Sequence, residues 1–523
     1  MASPTSFILP KLPKELREAI YAHLESDDVK NLRATCSAMV KLLPLSFDRV
    51  FISANSLNLK VFHGIANDET IHHQVTEIVW DDARLTTGPE LEQERKNYEY
   101  DSDKPDRAVT ENGCPLWFKN GTHYYYQDRE GFPLSYKFPN YLLSLEESWS
   151  YYKTLLEDQH QVLASNADIE AFKHGLRRFS SLKRVTVTPA THGRLGKPLY
   201  RTPMIRAFPR GFDYPLPESW PCYKPSGPID ALPWASEDDH PYRRTYGPRC
   251  TAEAYRAKWR GYQAVTRALA EDADHQVTEL HIGGHEIGSG INCRMFDQRS
   301  VEYKDLVTLL ERPGLKYLNL DLFTGLIEHR NWDSYRSGLL RDALAQAKDI
   351  EHMSFRSTTD IAQGATQQLD PKEVEESLFP LRTIFPIEHW PHLRHFGISH
   401  MLVQIDDLIN LLATLPRSLR SVELSHLAWG DEYGGYDDLL HEMRNTLDWR
   451  SRPVEERPKV HMAVSAATGD GNGWFVEIDE VVYSFLYGAG NNPFGENPQI
   501  IYPWEGGLRR DIFDAGFKAL YNK

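Results

Sequence analysis

The chain has 523 residues, of which 41% are hydrophobic and 25% are charged, a composition typical of a folded globular protein and not of a disordered or collagen-like one. This length accommodates about two to four ordinary domains or one elongated repeat array. Lys and Arg number 59 against 74 Asp and Glu, giving a formal net charge of −15. Because binding of nucleic acid depends on clustered cations, this balance argues against it as the main function.

The cysteines and the amino terminus bear on the compartment. The five cysteines are widely separated and include no C-x-x-C pair, so the sequence predicts neither a disulfide framework nor a zinc module. Residues 1–10 contain no basic residue, and no later segment approaches the roughly 18 uncharged apolar residues of a membrane span. We therefore expect a cytoplasmic or nuclear protein that does not interact with membranes.

Two short amphipathic helices are predicted between residues 13 and 43. The first depends on apolar residues at every fourth position, Leu12, Leu16, Ile20 and Leu24. The second begins near Ser26 and ends before Pro44. Because about 40 residues cannot bury enough surface to fold alone, this pair either caps the following domain or docks on a partner.

Three segments of this region carry a longer pattern, residues 12–20 (LPKELREAI), 28–36 (DVKNLRATC) and 42–52 (LLPLSFDRVFI). Together they resemble an F-box as it occurs in the large family of fungal F-box proteins. The resemblance implies that the helices dock on the Skp-type adaptor of a Skp–cullin–F-box ubiquitin ligase. The positions that match the adaptor contact are Leu12, Pro13, Leu16, Ile20, Leu24 and Leu32. The chain departs from many F-boxes in having no aromatic residue shortly after Cys36.

The rest of the chain carries a recurring pattern, apolar-x-x-apolar-x-apolar, that ends in strand-like alternation. The pattern occurs at Val75/Ile78/Trp80, Leu182/Val185/Val187, Val277/Leu280/Ile282, Leu315/Leu318/Leu320, Ile350/Met353/Phe355, Leu393/Phe396/Ile398 and Leu419/Val422/Leu424, with a weaker copy at Val460/Met462/Val464. Helical patterns fill the intervals. Such units must stack to bury both faces. We therefore predict an α/β fold in which a helical F-box precedes an irregular leucine-rich-repeat-like solenoid, with parallel strands on its concave side and helices on its convex side.

Composition shifts along the chain predict five segments. They are an F-box over 1–53, first repeats with a charged and aromatic insertion over 54–190, a Pro- and aromatic-rich insertion over 191–250, irregular repeats over 251–470, and a carboxyl-terminal cap over 471–523. Continuous helical patterns are expected at Ser148–Phe179 and Thr251–Ala273. The aromatic residues of the insertion at 191–250 are too numerous for a solvated linker, so it packs on the protein's own body or captures a target.

Alternation within each strand assigns a polar set to the concave face, where we expect it to be exposed to solvent and to bind a target protein. This set is Glu279, His281, Tyr317, Asn319, Asp321, His352, Ser354, Arg356, His395, Ser399, Ser421 and Glu423.

Catalytic and metal-binding motifs are weak. The glycine-rich segment 283–290 lacks the spacing of a phosphate-binding loop and favours a flexible turn. His281, His285, Glu286 and Cys293 do not show a paired metal-ligand pattern. His389, His392, His395 and His400 crowd around one predicted strand and favour a polar surface, and acid pairs such as Asp81 with Asp82 favour solvated faces or helix caps. We therefore predict no catalytic residue, metal or cofactor.

Together these features predict a non-catalytic substrate-recognition subunit of a Skp–cullin–F-box type ubiquitin ligase. Its partners are the Skp-type adaptor, through it a cullin, and a protein target whose identity the sequence does not reveal. An alternative is a non-ligase F-box scaffold that binds a partner without promoting its turnover. A third hypothesis is an enzyme with a site in the Pro-rich insertion.

Overall fold

The protein is described from a computed structural model. It covers residues 12–21, 23–24, 26–43, 47–88, 109, 113–122, 142–193, 198–217, 220–221, 231, 234, 252–283, 288–324, 333–358, 375–429, 434–465, 474–495 and 508–511.

Three short helices begin the described chain: α1 (Lys14–Tyr21), α2 (Ser26–Thr35) and α3 (Ser37–Leu42). The expectation of a single second helix up to Pro44 is wrong, because Cys36 has an extended backbone, with φ −163° and ψ 160°, and separates α2 from α3. The guanidinium of Arg33 in α2 donates to the backbone carbonyls of Val40 and Leu43, which holds the end of α3 against α2. This break places Met39 in a buried position.

In the described ranges, ten parallel strands form the main sheet, which confirms the α/β class with parallel strands. They are β1 (Arg49–Ile52), β2 (Glu77–Asp81), β3 (Arg184–Thr188), β4 (Glu279–Ile282), β5 (Ile291–Asn292), β6 (Tyr317–Phe323), β7 (His352–Arg356), β8 (His395–Ser399), β9 (Ser421–Ser425) and β10 (Lys459–His461). Their spatial order follows the chain, except that the short β5 pairs only with the end of β6. The segment Arg49–Ile52, which the sequence assigned to the end of the F-box, is the first strand of this sheet.

Helices connect the strands and also follow one another in space. They are α4 (Ser56–Ala66), α5 (Leu116–Gly121), α6 (Leu145–Ser165), α7 (Ala167–Arg178), α8 (Pro203–Arg206), α9 (Ala252–Arg256), α10 (Arg260–Glu271), α11 (Val301–Leu310), α12 (Asp333–Arg336), α13 (Leu339–Leu344), α14 (Leu381–Ile384), α15 (Ile405–Ala413), α16 (Tyr436–Thr446) and α17 (Asp479–Tyr487). Successive packing runs from α4 to α7, α10, α11, α13, α14, α15, α16 and α17. A layer of helices in chain order therefore accompanies the layer of strands.

Two helices predicted as continuous are interrupted. The segment Ser148–Phe179 forms α6 and α7, which meet at Asn166 in a left-handed conformation with φ 53°. Asn tolerates this conformation better than most residues, so it both ends α6 and starts α7. A single 3₁₀ turn, Ala257–Trp259, separates α9 from α10 and buries Trp259.

The interior lies between the sheet and the helices. Alternate strand residues point into it and are almost fully buried, as at Leu318 and Leu320 in β6, Met353 and Phe355 in β7, and Phe396 and Ile398 in β8. The apolar residue that precedes each strand in the sequence pattern is buried as well, from Val75 to Leu419. The predicted inward register of these strands is confirmed.

The backbone repeats the same connection at the start of successive strands. At the start of β7, the N–H groups of Glu351 and His352 both donate to the carbonyl of Lys316, each at 2.9 Å. At the start of β8, those of Arg394 and His395 both donate to the carbonyl of Glu351, at 2.7 and 3.0 Å. This recurrence sets residues of equivalent sequence position side by side across the sheet.

A small antiparallel sheet follows the parallel one. It comprises β11 (Ala463–Ser465), β12 (Trp474–Glu477) and β13 (Leu508–Asp511). The helix α17 contacts β10, and Val460 at the centre of β10 is buried. The last strand of the main sheet is thus covered by this terminal region.

Candidate functional site

The apolar stripe of α1 faces solvent. No residue of α1 is buried, and Leu16 and Ile20 are 54% and 39% exposed. Of the other predicted adaptor-binding residues, Pro13 is exposed and Leu12, Leu24 and Leu32 are half-buried. An amphipathic helix usually turns its apolar face to its own core, so a stripe left in solvent is typical of an interaction surface.

The polar face of the parallel sheet is the second candidate surface. Across β1 to β4, residues directly opposite one another on this face are positive and negative in turn. Arg49 Nε donates to Glu77 Oε2 at 2.6 Å, and Arg184 pairs with Glu279 Oε2 at 2.6 Å. Thr186 Oγ1 adds a donor to Glu77 Oε1 at 2.8 Å. Of the residues in these ion pairs, the sequence prediction for the concave face included only Glu279. The same alternation, in which every second residue along the strand is an inward apolar one, nevertheless occurs in β2 and β3.

Aromatic rings continue this row across β6, β7 and β8. The rings of Tyr317 and His352 stack with centroids 5.2 Å apart, and those of His352 and His395 stack at 4.1 Å. His395 Nδ1 lies 2.8 Å from Ser421 Oγ in β9. Burial lowers the pKa of His352 to about 3, and burial, together with the neighbouring His352 and His461, lowers the pKa of His395 well below its usual value.

The expectation that this polar set is exposed to solvent is wrong, because half of the set is buried and the other half is only half-buried. Asp321, His352, Ser354, His395, Ser399 and Glu423 are buried, whereas Glu279, His281, Tyr317, Asn319, Arg356 and Ser421 are half-buried. The register is nevertheless the predicted one, because the apolar neighbours of these residues are the more deeply buried set. Side chains on adjacent strands stand about 4.8 Å apart and cover one another, which removes much of their surface from solvent.

Polar side chains toward the carboxyl-terminal ends of β6, β7 and β8 also form an ion pair and a hydrogen bond with one another. Arg356 Nη1 lies 3.7 Å from Asp321 Oδ2, and Arg356 Nε donates to Ser399 Oγ at 3.0 Å. Gly397 has no side chain to place between Ser354 and Glu423, its partners in the neighbouring strands. The predicted target-binding residues are therefore brought together on one face, where they form a largely internal network.

The acid pair at the end of β2 is buried, which contradicts its interpretation as a solvated face. The helix-cap alternative holds for Asp82, which accepts an N–H from the first turn of α10. Burial raises the pKa of Asp81 to about 7. Burial also raises the pKa of Asp82, which accepts the Gly261 N–H on both oxygens, each at 3.0 Å, and the Trp220 indole N–H at 2.7 Å. Asp82 thereby joins the sheet to α10 and to the Pro-rich insertion.

The described part of this insertion packs on the protein itself. Trp220 and Trp234 are buried, and the Trp234 indole N–H donates to Glu302 Oε2 at 3.1 Å. Phe212 contacts Tyr151 of α6 edge-on, with ring centroids 4.8 Å apart, and stacks on Tyr214 at 4.9 Å. For these residues, packing on the protein's own body is confirmed.

Metal chemistry has no assembled site in the part of the chain that the structure describes. No group of three or more His, Cys, Asp or Glu side chains there could hold a metal ion. His285 and Glu286 lie outside the described residues. Cys293 is buried, His389 and His392 are exposed, and His400 is half-buried.

Comparison with known proteins adds no assignment. No model of a known protein family matches the chain, and no curated protein is a significant match. Over the described residues, no helix is both long and apolar enough to cross a bilayer.

Proposed function

We propose that this protein is the substrate-recognition subunit of a Skp–cullin–F-box type ubiquitin ligase. Residues 1–53 serve as the F-box, which binds the Skp-type adaptor and through it a cullin. The body is an irregular leucine-rich-repeat-like solenoid that binds a protein target through its strand side. Catalysis belongs to the partner enzyme, and this chain contributes proximity between that enzyme and the target.

The observation that carries the proposal is the exposed stripe of α1. Leu16 and Ile20 occupy positions of the sequence that resemble adaptor contacts, and both lie in solvent. If these helices were an end cap of the body, the same side chains would be buried against it. Exposure of this stripe therefore favours the docking interpretation over the end-cap interpretation.

Two features support the proposed body. The strands and the helices each follow the order of the chain, as stacked repeat units do. Each unit also begins with the same pair of backbone hydrogen bonds to the preceding strand, in seven strands from β2 to β9 apart from the short β5. Tyr317 and Arg356 offer aromatic and guanidinium groups of the kind that concentrate binding energy at protein interfaces.

Adaptor binding tests the proposal. A buried Leu or Ile contributes about 1.5–3 kcal/mol, so Leu16→Ala with Ile20→Ala is expected to weaken adaptor binding by about a hundredfold or more. The matched control is Val301→Ala with Val454→Ala, which truncates two residues that are 54% and 64% exposed elsewhere on the surface. Because none of these four side chains is buried, thermal unfolding should be nearly unchanged in both variants. Adaptor binding that survives the first pair would contradict the docking interpretation.

Co-purification separates the ligase from the scaffold alternative. With the proteasome inhibited, the full chain is expected to recover the adaptor, a cullin and a target. Recovery of the adaptor without a cullin would support the non-ligase scaffold.

A further inference from the structure

A row of cations lies at the start of four strands in the second half of the sheet. Lys316, Arg394 and Arg420 directly precede β6, β8 and β9, and Lys459 is the first residue of β10. The Arg420 N–H donates to the Arg394 carbonyl at 2.7 Å, and the Lys459 N–H donates to the Arg420 carbonyl at 2.9 Å. Since neighbouring strands are about 4.8 Å apart, Lys316, Arg394 and Arg420 stand level with one another, whereas Lys459 pairs with Ser421 and lies one residue further along at the same end of the sheet. We call these four cations the basic row.

The basic row is open to solvent and only partly neutralised. The Arg394 side chain is 70% exposed, and Arg420 and Lys459 are exposed as well. In the described ranges, no carboxylate lies within 4.0 Å of the charged nitrogens of Arg420 or Lys459. Arg420 Nη1 instead donates to the carbonyls of Arg417 and Leu419 in its own turn, each at 2.8 Å.

The protein itself shows how a carboxylate fits this row. Glu351 directly precedes β7 and so stands between Lys316 and Arg394. Its Oε1 lies 2.7 Å from Lys316 Nζ, and its Oε2 lies 3.8 Å from Arg394 Nε. One carboxylate therefore bridges cations that are two strands apart, whereas the stretch from Arg394 to Lys459 has no such bridge in the described chain.

We infer that the stretch Arg394–Arg420–Lys459 of the basic row binds an acidic, extended segment of the target protein. The identity of the partner as a target rests on the proposed function. Carboxylates of such a segment would stand beside these three cations as Glu351 stands between Lys316 and Arg394. A polypeptide suits this row better than nucleic acid does, because the row is short, is interrupted by Glu351 and belongs to a chain of net charge −15.

A peptide titration tests the inference with the full-length protein. The probe is a fluorescein-labelled peptide of about twelve alternating Glu and Ser residues, with a Gln/Ser peptide as the neutral comparison. The variant replaces Arg394, Arg420 and Lys459 by Gln. The matched control replaces Lys60, Arg206 and Lys304, three exposed cations on helices, by Gln.

The acidic peptide is expected to bind the wild-type protein more tightly than the neutral peptide does, and more weakly as salt is raised. The dissociation constant should rise about tenfold in the row variant, as the loss of three exposed ion pairs predicts, and stay unchanged in the control variant. Equal binding by the row variant, or tighter binding of an oligonucleotide of the same length, would overturn the inference. Adaptor co-purification is measured separately, and its absence from the wild-type protein would count against the proposed function while the titration still decides the row.

Discussion

The imidazole rings of His352 and His395 lie parallel on adjacent strands, with centroids 4.1 Å apart and planes 8° apart. Both residues are buried, so neither ring is in a position to carry a hydrated positive charge. Two protonated rings at this distance would also repel each other. The pair is therefore stable in the folded protein only while both rings are neutral.

Stability is expected to fall with acidification because of this pair. The folded protein holds the pKa of His352 at about 3, against 6.5 for an ordinary histidine, and that of His395 well below 6.5. Below pH 6.5 the unfolded chain therefore binds protons that the folded chain does not. Each histidine then costs up to about 1.4 kcal/mol of unfolding free energy per pH unit. Urea titrations between pH 7 and 5 should show that the unfolding free energy falls less per pH unit in His352→Asn with His395→Asn than in the wild-type protein. An unchanged dependence on pH would contradict the assignment.

Asp81 is expected to have the opposite pH dependence. Its pKa in the folded protein is about 7, against 3.8 ordinarily, so its contribution is fully present below pH 3.8 and is lost as the pH rises through 7. Asn at this position stays neutral and can still accept the Ala83 N–H that Asp81 Oδ1 accepts at 3.1 Å. Asp81→Asn should therefore raise the unfolding free energy at pH 8.5 and leave it nearly unchanged at pH 4. A variant that is destabilised at both values would contradict this account.

The neighbouring carboxylate should respond differently to the same change. Asp82 accepts N–H groups on both oxygens, from Gly261 and Trp220. Asn would place its own NH₂ group against one of these donors. Asp82→Asn should therefore lower the unfolding free energy by about 1–3 kcal/mol at pH 5.5. The loss should be smaller at pH 8.5, because burial also raises the pKa of Asp82 and makes its ionised form less favourable. The contrast with Asp81→Asn is measured in the same urea titrations.

A close approach of α10 to the sheet requires glycine at position 261. A Cβ there would lie 2.2 Å from Trp80 Nε1 and 2.7 Å from Asp82 Cγ, and both side chains are buried. Gly261→Ala is expected to destabilise the protein by about 1–3 kcal/mol. Gly64 in α4 provides the control, because a Cβ there meets nothing within 4 Å, so Gly64→Ala should stabilise the helix by about 0.5–1 kcal/mol. Calorimetric unfolding distinguishes the two, and equal effects would rule out the steric explanation.

The strands of the sheet were predictable because their signal is local. The inward alternation of Met353 and Phe355 can be seen within six residues, and it survives in the structure. The strand Arg49–Ile52 was missed because its role depends on a partner 28 residues away, Glu77, to which Arg49 is bonded. The burial of His352 and His395 was missed for a related reason, since it depends on which rings the register places side by side. Because neighbouring strands are separated by long stretches of sequence, no local pattern shows which side chains become neighbours in the sheet.

The Pro-rich insertion offers the last test, because its described tryptophans combine burial with a specific hydrogen bond. The Trp220 indole N–H donates to Asp82, and that of Trp234 donates to Glu302. Phenylalanine preserves most of the apolar bulk and removes the donor, which leaves a buried carboxylate with one hydrogen bond fewer. Trp220→Phe and Trp234→Phe are each expected to lower the unfolding free energy by about 1–3 kcal/mol.

Trp429→Phe is the matched control for these variants, because the Trp429 indole N–H has no acceptor within the described part of the chain. Trp429→Phe should therefore leave the unfolding free energy nearly unchanged. If the insertion instead serves mainly to capture a target, Trp220→Phe and Trp234→Phe would leave thermal unfolding intact and weaken target recovery. If Trp220→Phe and Trp234→Phe destabilise the protein and Trp429→Phe does not, the two indole hydrogen bonds hold the insertion to the folded body.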